Sequence, residues 1–229
     1  MNILVIAAHP DDDVLGCGGT IAREQGGNEV RIVILGEGVS SRFARRSEAA
    51  AADLDRLKED ARAAASELGA RSVDFGGLAD NRFDELPLIS VVQQVERWID
   101  TYRPGVIYTH HPGDLNIDHG VTFRAVLTAT RPGASSHLVG KILTFEVPSS
   151  TEWSFQRVEP PFRPNVFVDI SETLDHKIDA MRRYRSEIRE APHPRSAENI
   201  RAMAAYRGAA AGMAFAEAFE LIRSLRVKG

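Results

Sequence analysis

The sequence has little of what would direct a protein to a membrane, an oxidising compartment or a nucleic acid. Its one cysteine, Cys17, cannot form a disulfide within the chain, which fits a reducing compartment. No apolar run approaches the roughly 18 residues of a membrane-spanning helix, and the first residues lack the basic segment of a signal peptide. Lys and Arg (28) are fewer than Asp and Glu (32), so the formal net charge of -4 gives no general attraction to nucleic acid. We therefore expect a cytoplasmic protein that acts on a small molecule, with no membrane span and no nucleic-acid partner.

The composition is typical of a globular protein, and 229 residues suffice for one large α/β domain. Residues 2–8 form a continuous apolar run, the pattern of a strand buried on both faces. A helical pattern at residues 14–25 and a second apolar run at residues 29–35 complete a βαβ unit. Because parallel sheets carry helices on both faces, we expect a single domain over residues 1–229 with an open, doubly wound and mostly parallel sheet.

The rest of the chain continues the alternation of strands and helices. Further strands are predicted at residues 71–75, 105–109, 141–147 and 166–170, and further helices at residues 47–68, 88–102, 171–189 and 196–226. Gly69 is placed to end the first of these helices, and Ser171 to cap the third. The proline-rich stretch around Trp153 is interpreted as an irregular loop, and the prolines at 192 and 194 separate the last two helices.

Two polar segments follow strands of the predicted sheet. His9 and three successive aspartates follow the first strand, and residues 110–119 follow the strand at residues 105–109. Ligands of parallel α/β sheets bind outside the carboxyl ends of the strands, so both segments are expected at one site. His9, Asp12 and His119 would then form a set of two imidazoles and a carboxylate, which leaves a divalent metal an open position for water.

Each segment also has a purely structural interpretation. The aspartates could cap the helix that begins near Val14, and the histidines of the second segment could lie in a polar surface connection. The two segments together favour the metal site, because both fall at the same end of one sheet. Bound Zn²⁺ lowers the pKa of its water to about 7. Amide hydrolysis would then need a base, and Asp11, adjacent to Asp12, is the candidate.

Three segments resemble one known family. AAHPDDDVLGCGGTIA, which begins at Ala7, resembles the AHPDDE…GGT signature of LmbE-like (PIG-L) N-deacetylases, and NIDH at residues 116–119 resembles their HPDH motif. The ending HPRSAENIRAMAAYRGAAAGMAFAEAFELIR resembles the family's tail, so the similarity spans nearly the whole chain. The resemblance implies a Rossmann-like fold and metal-dependent removal of acetyl groups from N-acetylglucosamine-type sugars, with zinc as the metal and Fe²⁺ as the alternative.

The resemblance also assigns roles to individual residues. It implies that His9, Asp12 and His119 are the metal ligands. Asp11 corresponds to the base, and Asp118 corresponds to the aspartate that helps to set the charge of a nearby histidine. Asp11 and Asp118 would then be the catalytic pair. The resemblance also implies that the substrate is an acetamido sugar.

Two positions depart from the family's motifs. Asp13 replaces the usual glutamate, which shortens the side chain by one methylene and should alter a contact behind the metal more than the metal itself. Asn116 stands where many members carry a histidine, and a neutral amide can donate to an oxyanion but cannot act as a general acid. The proton for the leaving amine could then come from His110, His111, His193 or Asp11. We favour Asp11 in both roles.

Four residues are predicted to contact the substrate: Asn116, His111, Arg82 and His193. Arg82 could bind a phosphate or sugar oxygen through its guanidinium, although it also fits an exposed turn. His193, between two prolines, could belong to a lid or to an ordinary exposed loop. The many arginines of the C-terminal region are interpreted mainly as a solvated helix face, although an anionic diphosphate substrate could use them. GDLNIDH resembles a subgroup that acts on bacterial surface sugars, which suggests a nucleotide-linked or surface-glycan substrate.

Several alternatives stay open. Glycines at 16, 18 and 19 suggest a dinucleotide-binding oxidoreductase, but the three aspartates would repel a pyrophosphate and Ile21 occupies the third glycine position. Two histidines and a carboxylate also occur in Fe²⁺ oxygenases, although the expected fold argues against these enzymes. The protein could also hydrolyse another small amide, or bind metal and sugar without catalysis because of Asn116. Small α/β enzymes commonly associate, so a homo-oligomer is expected.

Overall fold

A central sheet of seven strands organises the chain in a computed structural model that describes residues 1–43, 45–46, 50–133 and 137–226. The strands are β1 (Asn2–Ala7), β2 (Glu29–Gly36), β3 (Ser72–Leu78), β4 (Val106–His110), β5 (Lys141–Phe145), β6 (Val166–Asp169) and β7 (Ala216–Ser224). The helices are α1 (Asp12–Glu24), α2 (Ala51–Glu67), α3 (Leu88–Tyr102), α4 (Ile117–Ala129), α5 (Leu174–Arg183) and α6 (Ala197–Ala211). Short 3₁₀ turns lie at Ser40–Arg42, Phe83–Glu85 and Glu152–Ser154.

The sheet is mostly parallel, with the strand order β3-β2-β1-β4-β5-β7-β6. The first five strands pair in parallel, whereas β7 runs antiparallel to both of its neighbours. β1 lies between β2 and β4, and near its end Ile6 pairs with Thr109 of β4. The segments that follow β1 and β4 therefore begin side by side at one edge of the sheet.

Apolar side chains of β1 point alternately to the two faces of the sheet, and each face supports its own core. Val5 belongs to a core that includes residues of α1, α2 and α5. Leu4 and Ile6 belong to a second core that includes residues of α3 and α4. Because helices cover both faces, the prediction of an open α/β sheet is confirmed, and the unbroken apolar run at residues 2–8 is explained. In the described part of the chain, no helix is long and apolar enough to cross a membrane.

The prediction of a helix over residues 196–226 was wrong for its second half. Helix α6 ends at Ala211, and Gly212 follows with a φ of 73°, the left-handed conformation that commonly ends a helix. Residues 216–224 form β7, which fills the space between β5 and β6. The alanine and glutamate of this stretch favour a helix locally, but strand pairing on both sides outweighs that weak preference.

Other differences concern helix boundaries. The helix predicted at residues 171–189 is shorter, since α5 spans Leu174–Arg183; its N-cap is Thr173, while the hydroxyl of Ser171 donates to Asp169. Helix α4 was not predicted, because Gly120 and several β-branched residues weaken its helical pattern. Helix α2 begins at Ala51, and the predicted start at residues 47–49 lies outside the described residues.

Candidate metal centre

A tight turn at the end of β1 presents the first group of predicted site residues. Asp11 has a φ of 90°, an uncommon conformation for a residue with a side chain. The backbone N–H of His9 donates to Oδ2 of Asp12 at 2.8 Å, which closes the turn. Backbone strain of this kind persists where the surrounding structure fixes it, often at functional sites. The turn therefore gives His9, Asp11 and Asp12 defined positions before any ligand binds.

The three predicted metal ligands meet at one point. Oδ2 of Asp12 lies 3.4 Å from Nδ1 of His9 and 3.2 Å from Nε2 of His119. All three residues are buried, and each offers a ligand atom within 4.8 Å of the others. This is a possible metal-binding cluster that joins a turn near the start of the chain to a helix more than a hundred positions later.

A carboxylate contacts the other ring nitrogen of each histidine. Nε2 of His9 lies 3.0 Å from Oδ2 of Asp118, and Nδ1 of His119 lies 3.0 Å from Oδ2 of Asp114. A carboxylate on one nitrogen places the proton there and leaves the other nitrogen with a lone pair for a cation. The donor set therefore fits a divalent metal. Asp114 was not predicted, although it lies in the polar segment that contains His119.

Two further contacts fix the position of His9. Oδ1 of Asp118 accepts from the backbone N–H of Phe83 at 2.9 Å, which ties the start of α4 to the segment after β3. Oδ1 of Asp80 lies 3.3 Å from Nε2 of His9. His9, Asp80 and Asp118 are a second group with metal-type donor atoms, but they contact one another directly and share His9 with the first group. Asp80 was not predicted as a site residue, although Arg82, two residues later, was.

Negative charge is concentrated at this site. Its buried carboxylates, here called the acidic cluster, are Asp11, Asp12, Asp13, Asp80, Asp114 and Asp118. Burial, and then the charge of Asp12, raises the pKa of Asp13 to about 7. Burial also raises the pKa of Asp11, against the lowering effect of Arg195. A divalent cation would offset this charge.

His9 and His119 respond to the same charge. Burial disfavours the charged form of His9, but its contacts with Asp118 and Asp12 raise its pKa to about 10. Burial likewise disfavours charged His119, and the charges of Asp12 and Asp114 raise its pKa to about 9. In the metal-free protein both imidazoles therefore carry an extra proton that the surrounding carboxylates favour. A bound metal ion would replace these protons.

Asp11 does not belong to the ligand cluster but has a partner of its own. Nη1 of Arg195 donates to Oδ2 of Asp11 at 2.8 Å and to Glu187 at 3.1 Å. Nε of Arg195 donates to the hydroxyl of Ser149 at 3.1 Å. The solvated helix face predicted for the C-terminal arginines is thus wrong for Arg195, which lies in the loop between α5 and α6. The only sequence signal was its place next to Pro194.

Asn116 has a structural task at the start of α4. Its side-chain oxygen accepts from the backbone N–H of Asp118 at 2.9 Å, so it caps the helix that carries His119. Its amide group donates to the side-chain oxygen of Asn81 at 2.9 Å. One N–H of the Asn116 amide remains beyond these bonds.

A cavity of about 500 Å³ opens over the predicted ligands. Its lining includes His9, Asp12 and His119 together with Asn81 and Asn116. Trp153, Ser149, Arg189, His193 and Arg195 also line it. Asn116 and His193, predicted to contact substrate, therefore line the same cavity as the predicted ligands.

The structure does not bring the other two predicted substrate residues into this cavity. Arg82 directs its guanidinium to Glu85, at 2.9 Å, because the short 3₁₀ turn after it places that carboxylate within reach. His111 is buried and contacts the carbonyl oxygen of Pro160 at 2.8 Å and Glu220 at 3.1 Å. Both side chains are thus engaged elsewhere.

His110 and Cys17 are also buried away from the cavity. Nε2 of His110 accepts from the backbone N–H of Ala8 at 2.8 Å, and its ring stacks on His119 with centroids 3.9 Å apart. Burial and the nearby charge of His119 lower the pKa of His110. The neutral ring of His110 therefore packs against His119 and supports it. Cys17 lies in the hydrophobic core.

Three relatives align with most of the chain. It is 30% identical to the uncharacterized deacetylase YaiS of Escherichia coli over 81% of this chain and 91% of that protein. It is 27% identical to the diacetylchitobiose deacetylase of Thermococcus kodakarensis over 96% and 83%, respectively. It is also 30% identical to the 4-oxalmesaconate hydratase of Pseudomonas putida over 79% and 71%.

A solved structure shares the fold. The conserved protein TT1542 from Thermus thermophilus superposes with a TM-score of 0.77 at 24% identity, over 99% of this chain and 96% of that one. The family profile "PIG-L: GlcNAc-PI de-N-acetylase" matches residues 4–130, which include all three clustered ligands. With the fold, the site and more than half of the chain in agreement, this protein belongs to the PIG-L (LmbE-like) family.

Proposed function

We propose that this protein hydrolyses the N-acetyl amide of an N-acetylglucosamine-type sugar, with Zn²⁺ held by His9, Asp12 and His119. The observation that carries the proposal is the buried three-donor cluster at one side of the cavity, with a carboxylate behind each histidine. The diacetylchitobiose deacetylase to which the chain is similar supports the substrate class. Fe²⁺ is the alternative metal.

The metal would supply Lewis-acid polarisation of the acetyl carbonyl and would acidify a water molecule. The chain contributes the groups that fix it. His9 and His119 each keep one lone pair for it, because Asp118 and Asp114 hold the proton of the other nitrogen. His110 and Phe83 then restrict the motion of these groups by ring stacking and a backbone hydrogen bond.

Asp11 is the proton carrier in this proposal. It takes a proton from the attacking water and returns it to the nitrogen as the C–N bond breaks, which gives acetate and a free amine. Its burial favours the protonated form, which suits the second step, while Arg195 keeps the ionised form accessible for the first. Asp11 and Arg195 are thus a carboxylate with both protonation states within reach.

Asn116 would act as a neutral donor. Its cap on α4 and its bond to Asn81 fix the plane of the amide, and the N–H beyond these bonds could donate to the oxyanion. Asp118 would hold His9 in place. His193 lines the cavity and is proposed to contact the substrate.

A second candidate is water addition to a carbon–carbon double bond. It is favoured by the similarity to the 4-oxalmesaconate hydratase, which has the same 30% identity as the Escherichia coli deacetylase but over a smaller share of that protein, 71% against 91%. It would use the same metal and base, so the two reactions are separated by their products.

The test measures acetate release from N-acetylglucosamine, diacetylchitobiose and lipid- or nucleotide-linked N-acetylglucosamine by the Zn²⁺-loaded protein. An Asp11→Asn variant is assayed in parallel, and its bound zinc is measured. We expect turnover by the wild type, and loss of at least about 100-fold in the variant with zinc retained. Absence of acetate from every substrate, together with hydration of 4-oxalmesaconate, would replace the deacetylase with the second candidate.

A further inference from the structure

The loop that joins α5 to α6 brings positive charge and hydrogen-bond donors to the cavity. Arg189, His193 and Arg195 all belong to this loop, and all three line the cavity. The bonds of Arg195 to Asp11 and Glu187 anchor the loop at one end. Positive groups therefore line the same cavity as His9, Asp12 and His119.

Arg189 differs from the other arginines of this region. Most of these pair with a carboxylate: Arg182 with Asp179, Arg183 with Glu67, Arg185 with Asp60, Arg195 with Asp11, Arg201 with Asp175 and Arg207 with Glu146. Nη1 of Arg189 donates only to backbone carbonyl oxygens, those of Ser186 at 2.6 Å and Ile188 at 3.3 Å. Throughout the described ranges no carboxylate pairs with it. Its guanidinium charge is therefore available to a ligand.

Two neutral donors line the same cavity as Arg189. Nδ1 of His193 accepts from the backbone N–H of Arg195 at 3.0 Å, so the neutral ring carries its proton on Nε2. Burial, with the charges of Arg195 and Arg189, lowers the pKa of His193 and keeps this form at neutral pH. The hydroxyl of Ser149 accepts from Nε of Arg195, which leaves its own hydrogen free to donate.

We propose that Arg189, His193 and Ser149 form a subsite for an anionic substituent, phosphoryl or carboxyl, of the substrate whose acetamide faces the metal ligands. This inference rests on the proposed deacetylase function. A guanidinium matches the paired oxygens of either group, and charge-assisted hydrogen bonds are the stronger ones.

The position of Arg189 also sets the direction in which the substrate lies. Its guanidinium attracts the anionic end to the loop, which leaves the uncharged acetamide for His9, Asp12 and His119. Trp153 is 45% exposed, and its ring centroid lies 6.0 Å from that of His193, so it offers a flat apolar surface to the sugar ring between the two ends.

The test compares three substrates of the Zn²⁺-loaded protein: N-acetylglucosamine, its anomeric phosphate and its uronic acid. The variant is Arg189→Gln, and the control is Arg182→Gln, an exposed arginine whose partner is Asp179. We expect Arg189→Gln to raise KM for one or both anionic sugars about 10- to 100-fold with kcat nearly unchanged. KM for neutral N-acetylglucosamine should stay the same, as should every constant of the control. The two anionic sugars show whether phosphoryl or carboxyl is preferred.

Equal effects of Arg189→Gln on neutral and anionic sugars would overturn the subsite and leave the deacetylase function intact. If none of the sugars releases acetate, the proposed function fails, and binding decides the subsite separately. Titration calorimetry with inorganic phosphate and with acetate then compares wild type and variant. Affinity lowered by Arg189→Gln for at least one ion, and not by the control, supports the subsite. Unchanged affinity for both overturns it.

Discussion

Two buried groups of charged residues in this protein differ in how their charges are matched. The acidic cluster gathers six carboxylates around His9 and His119, which line the cavity together with Asp12. Against α1, Lys177 and Glu217 form a single buried ion pair, with Nζ 2.6 Å from Oε1. The first group has more negative charge than its neighbours offset, whereas the second is a one-to-one pair.

The matched pair, Lys177 and Glu217, stabilises a break in helix α1. Cys17 has non-helical backbone angles, so the helix is divided into two parts. Lys177 donates to the carbonyl oxygen of Leu15 at 2.8 Å, and Glu217 accepts from the backbone N–H groups of Gly19 and Thr20 at 2.9 and 2.7 Å. The pair thus satisfies backbone groups that the break leaves without helical partners. A buried ion pair whose hydrogen bonds are complete is typical of a structural role. A buried cluster whose charges are not fully offset is typical of a functional site.

The largest expected effect comes from breaking the matched pair. Lys177→Met leaves Glu217 buried and unpaired, which should lower the free energy of unfolding by about 3–5 kcal/mol. The measurement is urea unfolding of the metal-free protein, with Arg182→Met on the same helix as the control, for which a change below about 0.5 kcal/mol is expected. The double variant Lys177→Met/Glu217→Gln should regain part of the loss. A loss as small as that of the control would contradict the structural assignment.

The next effect comes from neutralising the acidic cluster with metal. Zn²⁺ at about 1,000 times its Kd should raise the free energy of unfolding by about 4 kcal/mol. Thermal unfolding with and without chelator measures the change. Asp12→Ala should abolish it, and Lys177→Met should retain it. Equal stabilisation of wild type and Asp12→Ala would place the ion elsewhere.

The free energy of unfolding should depend on pH through the acidic cluster and its histidines. The folded pKa values of Asp13, His119 and His9, about 7, 9 and 10, exceed the ordinary values, so the metal-free native state holds extra protons above pH 6.5. Its stability should therefore fall as pH rises from about 7 to 9, by about 1.4 kcal/mol per pH unit for each extra proton. The low pKa of His110 acts in the opposite direction, but only below pH 6.5.

Metal binding displaces those protons, so zinc affinity should rise over the same pH range. Chemical unfolding of the metal-free protein at pH 7, 8 and 9 and zinc titration at the same pH values give both quantities. Stability of the metal-free protein that rises with pH would refute the charge assignment.

A single neutral substitution in the cluster should stabilise the metal-free protein. Asp13→Asn removes a charge that burial and Asp12 disfavour, so at pH 8 the variant should be more stable than the wild type. Equilibrium unfolding measures the gain, with Asp179→Asn on the surface of α5 as control. A loss comparable to that of Lys177→Met would mean that the cluster is matched after all.

The sequence was most informative where local pattern and site coincide. The apolar run at residues 2–8 and the polar residues after it sufficed to place His9 and Asp12 at a sheet edge, and the polar segment after the strand at residues 105–109 added His119. The family motif pointed to Asp118, whereas the contact of Asp114 with His119 is defined only by the folded loop. Arg195 reaches Asp11 across 184 positions, a separation at which no spacing rule operates. Likewise, β7 is a strand because of its neighbours, and its own residues favoured a helix.

The position of β7 has a consequence for the order in which the protein can assemble on the ribosome. β6 is synthesised earlier but joins the sheet through β7, so its edge groups have no sheet partner until residues 216–224 have emerged. Glu217, which holds the break in α1, arrives at the same moment. The turn that carries His9 and Asp12 is translated long before Glu217, which completes its supporting helix. A nascent chain halted before residue 216 should therefore display the candidate metal-binding turn without the support that Glu217 gives to α1.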